Sequence, residues 1–304
     1  MKRALATVAL VAACAGCRPD FGAPLSLVSA PRIEAVRFDP PEAQPGTSVT
    51  ATAFVVTPDG ATMPAIDWSV CLTPKSTTNN DVVDPSCLQP NGTTAIATTD
   101  APQPVMLPTD ACRLFGPDTP PQTPGQPPVQ SRAPDVTGGY YQPVRAELDG
   151  GTPTIGLARI RCSLAGASFA LAAEFAAEYT SNTNPTLTPL AAFIDGNPVS
   201  LDAIPAGRTI TLAAGWTADS PEMFPVLDPA AQQLVMHREA MTISWLATAG
   251  VVAEANSGRP EDDATLFTST TWTAPTSPGV VHLSIVLHDS RGGIAFAAYD
   301  ATVQ

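Results

Sequence analysis

Apolar and polar residues alternate along much of this chain with the period of two that is typical of β-strands. Residues 33–38 (IEAVRF) alternate and are followed by Pro40-Pro41, which ends the pattern. Residues 48–56 (SVTATAFVV) and 66–71 (IDWSVC) continue it, with turns predicted at Pro45-Gly46 and around Gly60. The pattern therefore predicts a series of short strands separated by turns.

The second half of the chain repeats this series. The segment 45–50 (PGTSVT) is echoed by 205–211 (PAGRTIT), and each is followed by a strand and then by a strand centred on tryptophan, Trp68 or Trp245. We interpret this as two diverged copies of one β module. Because the match is short, coincidence is the alternative to this interpretation.

The second copy ends in a predicted hairpin. Residues 271–275 (TWTAP) form a strand and a turn, and residues 280–288 (VVHLSIVLH) are the strongest strand pattern in the chain. Asp289-Ser290-Arg291-Gly292-Gly293 is the hairpin turn, and residues 294–303 return as the last strand. Asp289 is expected to cap this turn, because aspartate side chains bond to backbone amides two residues further on.

Two stretches depart from the β pattern. Residues 73–138 are rich in Pro, Thr, Asn, Gln and Asp, and this composition predicts a long insertion that does not pack by itself. Residues 167–179 (ASFALAAEFAAEY) place Leu171, Phe175 and Glu178 at helical spacing and are predicted to form a short helix.

The order of a Trp strand, the W-T-A-P strand, a long apolar strand and D-S-R-G-G resembles bacterial immunoglobulin-like and PKD-like surface modules. The resemblance covers residues 184–304 clearly and residues 31–72 more weakly. It implies a β-sandwich fold and brings no catalytic residues with it. Trp68 and Trp245 occupy the place where such sandwiches bury a core aromatic residue, and Trp272 joins the predicted core.

These observations predict a mainly β protein with two immunoglobulin-like β-sandwich domains in tandem. The first has the long Pro-rich insertion and the short helix. The expected organisation is a signal peptide at 1–16, a tether at 17–30, a first domain at 31–182 that contains the insertion at 73–138 and the helix near 167–179, and a second domain at 183–304.

The amino terminus is typical of a secretory signal. Met1-Lys2-Arg3 is cationic, residues 4–13 are uninterruptedly apolar, and small residues precede two cysteines, Cys14 and Cys17. The apolar run is shorter than the roughly 20 residues that span a bilayer. The small residues before cysteine resemble the bacterial lipobox, which implies a diacylglyceryl thioether on the cysteine. An ordinary secretory signal without lipid is the competing interpretation.

Cysteine parity favours Cys17 over Cys14 as the lipidated residue. Processing at Cys17 leaves an even set of cysteines, whereas processing at Cys14 leaves a fifth thiol, which is less expected in an exported protein. The even set is Cys71, Cys87, Cys112 and Cys162. Four cysteines allow three pairings. Cys71 with Cys87 and Cys112 with Cys162 is the favoured one, because the first pair closes the shorter loop.

Charge excludes one class of partner. The chain has 15 Lys and Arg against 28 Asp and Glu, a net charge of −13, with no basic cluster. We expect no nucleic-acid binding, since Lys and Arg contacts to phosphate supply most of that affinity. Export, lipidation and disulfides predict a location at the outer membrane or cell surface, facing the periplasm or the exterior.

No catalytic constellation is evident, and we expect no enzyme activity, cofactor or metal. His282 and His288 are expected to be solvent-facing strand residues, and the third histidine is His237. The acidic run at 261–263 lacks the spacing of a calcium loop, so it is interpreted as a solvated loop. Tyr140-Tyr141 is interpreted as the point where the chain returns to the sandwich core. The alternative is an exposed aromatic patch that contacts glycan.

The sequence thus favours a non-enzymatic, lipid-anchored envelope protein with a structural or interaction role. Its expected partners are the membrane, through the lipid, and an unidentified envelope protein or glycan. The alternative is a surface module that binds carbohydrate or peptide, and an exposed Trp and Tyr cluster would support it.

Overall fold

A computed structural model describes residues 24–75, 82–116 and 135–304 of the chain. The protein is mainly β. In the first half the strands are β1 (Arg32–Asp39), β2 (Glu42–Ala43), β3 (Ser48–Thr57), β4 (Gly60–Thr62), β5 (Ile66–Val70), β6 (Thr94–Thr99), β7 (Gln103–Met106), β8 (Gly139–Glu147) and β9 (Thr154–Arg161). The helices are α1 (Ala111–Leu114) and α2 (Phe169–Glu178), with short 3-10 helices at Pro85–Leu88 and Pro90–Gly92.

The second half adds eleven strands. They are β10 (Ala191–Ile194), β11 (Asn197–Val199), β12 (Thr209–Gly215), β13 (Met223–Asp228), β14 (Gln233–Arg238), β15 (Met241–Ala247), β16 (Val251–Val252), β17 (Asn256–Arg259), β18 (Phe267–Thr273), β19 (Gly279–Asp289) and β20 (Ile294–Val303).

The strands form four larger sheets and one separate hairpin. In the first half, sheet A has the order β2-β9-β8-β5-β6, and sheet B has the order β1-β3-β4 with β7 also paired to β3. In the second half, sheet C has the order β17-β15-β19-β20, and sheet D has the order β11-β10-β12-β18-β16. Strands β13 and β14 pair only with each other.

The two halves repeat one strand order. The run β9-β8-β5-β6 in sheet A corresponds to β20-β19-β15-β17 in sheet C, and β1-β3-β7 in sheet B corresponds to β10-β12-β18 in sheet D. The turns that precede β3 and β12 also match. Gly46 donates to the carbonyl of Pro108 and Gly207 donates to that of Pro275, and both glycines have positive φ, 75° and 68°. The short sequence echo therefore marks a structural repeat.

Each half encloses its own apolar core between two sheets. Sheets A and B bury Trp68 with Phe38, Val55 and Ile160. Sheets C and D bury a larger aromatic set, which consists of Trp216, Trp245 and Trp272. All four tryptophans of the chain are at most 2% exposed.

A third apolar contact joins the halves, because the outer face of sheet B packs on the outer face of sheet C. The rings of Phe54 from β3 and Phe296 from β20 stack with their centroids 4.5 Å apart. Val56 and Val286 are buried in the same cluster. The four sheets are thus layered in the order A, B, C, D, and we call the B–C contact the middle layer contact.

The chain preceding β1 also contacts the second half. The amide of Val28 donates to the carbonyl of Ala247 at 2.9 Å, and the amide of Ala247 donates to Ser26 at 2.8 Å. Val28 is buried in the middle layer contact. Residues 24–30 were expected to belong to the tether, and this part of the chain is docked on the fold.

The prediction that residues 73–138 form a loop-like insertion was wrong for part of the segment. β6 extends sheet A as its edge strand, and β7 pairs with β3 in sheet B. Val105 and Leu107 are fully buried in the first core. Val105 and Leu107 alternate with exposed residues, so both point into the core when β7 pairs with β3. This is enough apolar surface for a short strand, although the surrounding composition is polar. Residues 117–134, with the densest proline run, lie outside the described part of the chain.

The predicted helix is confirmed as α2. Ser168 caps it by accepting a hydrogen bond from the amide of Leu171 at 3.2 Å. Leu171 and Phe175 lie one turn apart and are buried, so the apolar face of the helix packs inward. That face contacts Leu227 of the β13–β14 hairpin, which brings a piece of the second half against the first.

Two disulfides occur in the first half, Cys71–Cys87 and Cys112–Cys162, the two pairs favoured from the sequence. The first holds the segment around the 3-10 helices against the outer face of sheet A, where Val83 and Cys87 pack on Ile155. The second joins α1 to the end of β9. Disulfides of this kind persist in oxidising compartments and are rare in the cytosol.

Candidate functional site

The most densely connected polar cluster of the described chain lies where the two halves meet. It is built from the ends of strands and from the D-S-R-G-G turn, and we call it the junction network. Its members are Glu42, Arg159, Tyr179, Asn182, Glu222, Glu239, Asp289 and Arg291.

The β19–β20 turn positions the part of this network that belongs to the second half. Asp289 accepts hydrogen bonds from the amides of Arg291 and Gly293, at 2.9 and 2.8 Å, as predicted for a turn cap. A Cβ atom at Gly293 would lie 2.0 Å from the Asp289 carboxylate, so only glycine fits there. The capped turn holds the Arg291 side chain toward the first half.

Arg291 is only 1% exposed and is surrounded by acceptors. Its Nε donates to Glu239 at 2.6 Å, one Nη donates to Glu222 at 2.5 Å, and the other donates to the carbonyl of Thr180 at 2.8 Å. The guanidinium also lies 4.8 Å from the ring centroid of Phe224. Glu222 and Glu239 flank the β13–β14 hairpin, so Arg291 fixes the hairpin and the linker after α2 together.

A second buried arginine holds the side of the first half. Arg159 of β9 donates to the hydroxyl of Tyr141 at 3.0 Å and to that of Tyr179 at 3.3 Å, and its Nε lies 3.6 Å from Glu42. The Tyr179 hydroxyl donates to the Glu42 carboxylate at 2.8 Å. Tyr179 thus connects the end of α2 with two strands of sheet A.

Asn182 joins the two arginine clusters. Its backbone amide donates to Glu42 at 2.9 Å, and its side-chain amide donates to Asp289 at 3.3 Å. Nearby, the Asn184 side chain donates to the carbonyl of Phe38 at 2.7 Å and accepts from the amide of Ile294 at 2.9 Å. The chain between the halves is therefore bonded to both of them.

The junction network holds four carboxylates and two guanidinium groups, which favours proton uptake by a carboxylate. Burial, and next the charge of Asp289, raise the pKa of Glu239 to about 7. Burial also raises the pKa of Asp289. Burial alone would lower the pKa of Arg159, but Tyr141, Tyr179 and Glu42 raise it, so this cation stays charged. The arrangement can hold two modules together with a strength that depends on pH.

The expectation that His282 and His288 face solvent was wrong, because the middle layer contact half-buries this face of β19. His282 Nδ1 lies 2.7 Å from Asp300, and a Cβ atom at Gly60 of the first half would lie 3.0 Å from that nitrogen. Burial lowers the pKa of His288.

His237, on the β13–β14 hairpin, lies 2.6 Å from Glu261. Two histidines thus pair with carboxylates, but among the described residues no hydrogen bond joins either ring to a serine.

The acidic run at 261–263 is bonded within its own surroundings. Glu261 pairs with His237, and Asp263 pairs with Arg259 at 3.1 Å. Hydrogen bonds from Thr265, first from its side chain, lower the pKa of Asp263. Within residues 24–75, 82–116 and 135–304, no group of three or more His, Cys, Asp or Glu side chains could hold a metal ion.

The aromatic residues singled out in the sequence lie inside the fold. Trp68, Trp245 and Trp272 are core residues, and the Trp245 indole donates to Ser257 at 2.8 Å. Tyr140 is buried in β8. The exposed tryptophan cluster that would have supported an aromatic ligand platform is therefore not formed. Cys14 and Cys17 lie outside the described residues.

Sequence reasoning missed the buried charges. Arg159, Glu239 and Arg291 look like ordinary surface residues, because their burial depends on partners that are far away in the chain. The sequence held one partial signal for these buried charges, the capped turn at Asp289, because such a turn fixes the direction of the Arg291 side chain.

No protein-family model matches the chain, and no curated protein matches it. Among solved structures, the Yersinia pseudotuberculosis adhesin InvE is similar at 14% identity with a TM-score of 0.24. The alignment covers 93% of this chain and 62% of that chain, so this chain spans less than two thirds of the adhesin. The helices of the described residues are all too short or too polar to cross a membrane.

Proposed function

We propose that this chain is a non-catalytic, lipid-anchored protein of the bacterial envelope, at the outer membrane or cell surface, with a structural or interaction role. The amino-terminal sequence supports the anchor, with lipidation at Cys17 and Cys14 as the alternative. The two disulfides support an oxidising location outside the cytoplasm.

The observation that carries the structural role is the junction between the halves. Proteins that only display separate modules need no more than a linker between them. Here Arg291 donates to the carbonyl of Thr180, and Asn182 bonds to Glu42 on one side and to Asp289 on the other. Phe54 of the first half also stacks on Phe296 of the second. A junction of this kind keeps two modules at a fixed separation, as a spacer or a scaffold requires.

We further propose that the two halves are immunoglobulin-like β-sandwiches. Each has two sheets around a tryptophan-containing core, and both follow the same strand order. They pack face to face through the middle layer contact, with sheet B on sheet C. This arrangement leaves the outer faces of sheets A and D for contact with other envelope components.

Intact-mass analysis of the protein extracted from membranes tests the anchor. The expected mature chain starts at an acylated Cys17 and has its four remaining cysteines oxidised. Cys17→Ala should abolish acylation, while Cys14→Ala should leave the mature mass unchanged. An unlipidated wild-type chain, or one that starts at Cys14, contradicts the assignment.

Crosslinking on intact cells followed by affinity capture identifies the partner that an interaction role requires. A reproducible crosslink to an envelope protein supports the proposal. Turnover of a small-molecule substrate that disappears when His237 or His282 is replaced would contradict the non-catalytic assignment, since these histidines are paired with carboxylates.

A surface module that binds a ligand is the second candidate function. It would bind carbohydrate or peptide at its surface, and the buried tryptophans argue against an aromatic platform for such a ligand.

A further inference from the structure

A cavity of about 530 Å³ opens between the end of β9, the turn after β2 and helix α2. Arg161 and Ser163 line it at the end of β9, and Gln44 lines it from the turn. The apolar part of its wall consists of residues that are not buried and can therefore touch a ligand, namely Pro45, Ala172 and Ala176.

Both walls of this cavity are held in place by the fold. The Cys112–Cys162 disulfide joins the end of β9 to α1, and the Cys162 amide donates to the carbonyl of Gly138 at 3.0 Å. On the other side, α2 is fixed because Leu171 and Phe175 are buried beneath it. The cavity is thus preformed, as most small-ligand sites are.

The Arg161 guanidinium lacks an oxygen partner in this cavity. Every other arginine of the described chain donates to an oxygen atom. Within residues 24–75, 82–116 and 135–304, Arg161 forms no side-chain hydrogen bond or ion pair and lies 4.9 Å from the ring centroid of Tyr179. Its nitrogen atoms are not sealed inside the protein, so a ligand in the cavity can reach them.

The charge at this cavity is opposite in sign to the charge of the chain. The chain has 28 Asp and Glu against 15 Lys and Arg, yet none of the described residues that line the cavity is acidic. Glu42, two residues before Gln44, is buried and already accepts from Tyr179 and Asn182. The Tyr179 ring covers one face of the Arg161 guanidinium and leaves N–H donors at its edge for an anion.

The repeat shows that the fold does not require an arginine at this place. Ile160 of β9 and Val303 of β20 each pair in parallel with a residue three positions before the matching turn glycine. Arg161, which follows Ile160, therefore corresponds to Gln304. The side chain of that glutamine donates to a backbone carbonyl at 3.4 Å. A neutral, bonded residue thus serves in the second half where the first half has an unpaired cation.

We propose that this cavity binds the carboxylate of a ligand that also carries a small apolar group. A guanidinium edge matches the two oxygens of a planar carboxylate, and its single charge balances one carboxylate. A phosphate dianion would need a second cation, which the described lining residues do not supply. Ser163 and Gln44 offer a hydroxyl and an amide to further polar groups of the ligand. Pro45, Ala172 and Ala176 contact its apolar group.

The carboxylate can belong to the end of a peptide chain or to a free small acid. The inference deepens the second candidate function, a surface module that binds peptide, and does not depend on the lipid anchor. Its failure would therefore leave the intact-mass and crosslinking results unaffected.

Calorimetry and NMR chemical-shift titration with the full mature chain test the site. The chain should be held in a neutral detergent, because a bile-salt detergent carries a competing carboxylate. The probes are N-acetyl-leucine and the peptide acetyl-Gly-Gly-Ala-Leu, each with a free carboxylate and as the carboxyl-terminal amide, with inorganic phosphate as the comparator. The free carboxylates should bind and shift the backbone amides of residues 161–164 and 172–176, whereas the amides should not bind. Tighter binding of the peptide than of N-acetyl-leucine supports a chain end as the source, and equal binding supports a free acid.

Four variants locate the binding. Arg161→Gln should weaken the Kd about tenfold or more, as expected for lost hydrogen bonds to a charged group. Arg161→Lys keeps the charge but not the planar fork and should weaken it less. Ala176→Trp should fill the cavity and abolish binding while Arg161 stays in place. Arg208→Gln makes the same change of charge at an exposed arginine of the second half and should leave the Kd unchanged.

Failure of both free carboxylates to bind overturns the proposal, and so does equal binding of the amides. Binding that is unchanged in both Arg161→Gln and Ala176→Trp places the ligand elsewhere and overturns the site. Binding of phosphate in place of the carboxylates overturns the ligand class. If Arg161→Gln does not fold, Arg161→Lys and Ala176→Trp decide, because the first keeps the cation and the second leaves Arg161 unchanged.

Discussion

The two halves share one strand order but are stabilised in different ways. The first half has a single tryptophan in its core and two disulfides, while the second has three buried tryptophans and no cysteine. Large aromatic side chains contribute much of the burial energy of a small core. A half that has fewer of them can instead be stabilised by crosslinks that restrict its unfolded chain. The same strand order can thus be stabilised in two different ways.

The difference follows from the insertion. Residues 73–138 lengthen the connection between β5 and β8, and the described part of this insertion adds Val105 and Leu107 but no buried aromatic side chain to the first core. Both disulfides hold this insertion to the sheets at its ends, through Cys87 and Cys112. The second half has short connections at the corresponding place and needs no such restraint.

The largest expected effect comes from breaking the connection between the halves. Arg291→Leu leaves Glu222 and Glu239 buried without their cation, and it should lower the free energy of unfolding by about 3–5 kcal/mol. Urea denaturation gives the loss, and hydrogen exchange with mass spectrometry should show it in both halves.

Arg208→Leu is the control for this change, because Arg208 pairs with Asp195 on the surface and should cost at most about 1 kcal/mol. If the two variants lose the same stability, or if hydrogen exchange after Arg291→Leu rises only in β10 to β20, Arg291 does not link the halves.

Removing the disulfides should affect the first half selectively. The chain-entropy model gives about 4 kcal/mol for Cys112–Cys162 and about 3 kcal/mol for Cys71–Cys87, because the first closes a longer loop. Paired Cys→Ala variants should lose hydrogen-exchange protection in β1 to β9 and keep it in β10 to β20. Equal loss in both halves would show that the crosslinks stabilise the whole molecule.

Stability should also depend on pH through Glu239. Its pKa is raised from 4.5 to about 7, so the folded state binds this proton more tightly than the unfolded chain does. The contribution is fully present below pH 4.5 and is lost as the pH rises through about 7. Between pH 5 and 8 the unfolding free energy should fall by about 1–3 kcal/mol more in the wild type than in Glu239→Gln.

The Glu239→Gln comparison is needed because His288, whose pKa is lowered by burial, changes stability in the opposite direction at mildly acidic pH. Parallel pH profiles of the two proteins would exclude Glu239 as the titrating group.

The smallest effect compares the two equivalent turns. Gly46→Ala and Gly207→Ala both place alanine at positive φ, which costs about 1 kcal/mol. A Cβ atom at Gly46 would lie 3.1 Å from Thr109, whereas the nearest atom at Gly207 is 3.7 Å away. Gly46→Ala should therefore lower the thermal midpoint more. A larger loss of thermal midpoint for Gly207→Ala than for Gly46→Ala would contradict this steric explanation.

Much of the fold could be predicted because its signals are local. Strand alternation, each of the two matching turns at Gly46 and Gly207, and the Asp289 cap are each contained within a few neighbouring residues. The same holds for the α2 spacing of Leu171 and Phe175. The disulfide pairing was favoured among three possibilities on loop length, and the structure has these two pairs.

What could not be predicted depends on contacts between distant parts of the chain. β7 lies in a polar insertion, and Val105 becomes a core residue only because β3 offers an edge. His282 and His288 lie on a face that the other half covers, which no alternation pattern reveals. Arg159 and Arg291 are buried because acceptors from three separate segments surround each of them.

The docking of residues 26–28 on Ala247 has a mechanical consequence. A pulling force applied at the amino-terminal end reaches the second half through these hydrogen bonds before it reaches β1. The attachment lies at the end of β15, a central strand of sheet C, which is paired on both sides. Tension is thereby shared between the two halves from the start, and the first half is shielded from being unravelled alone.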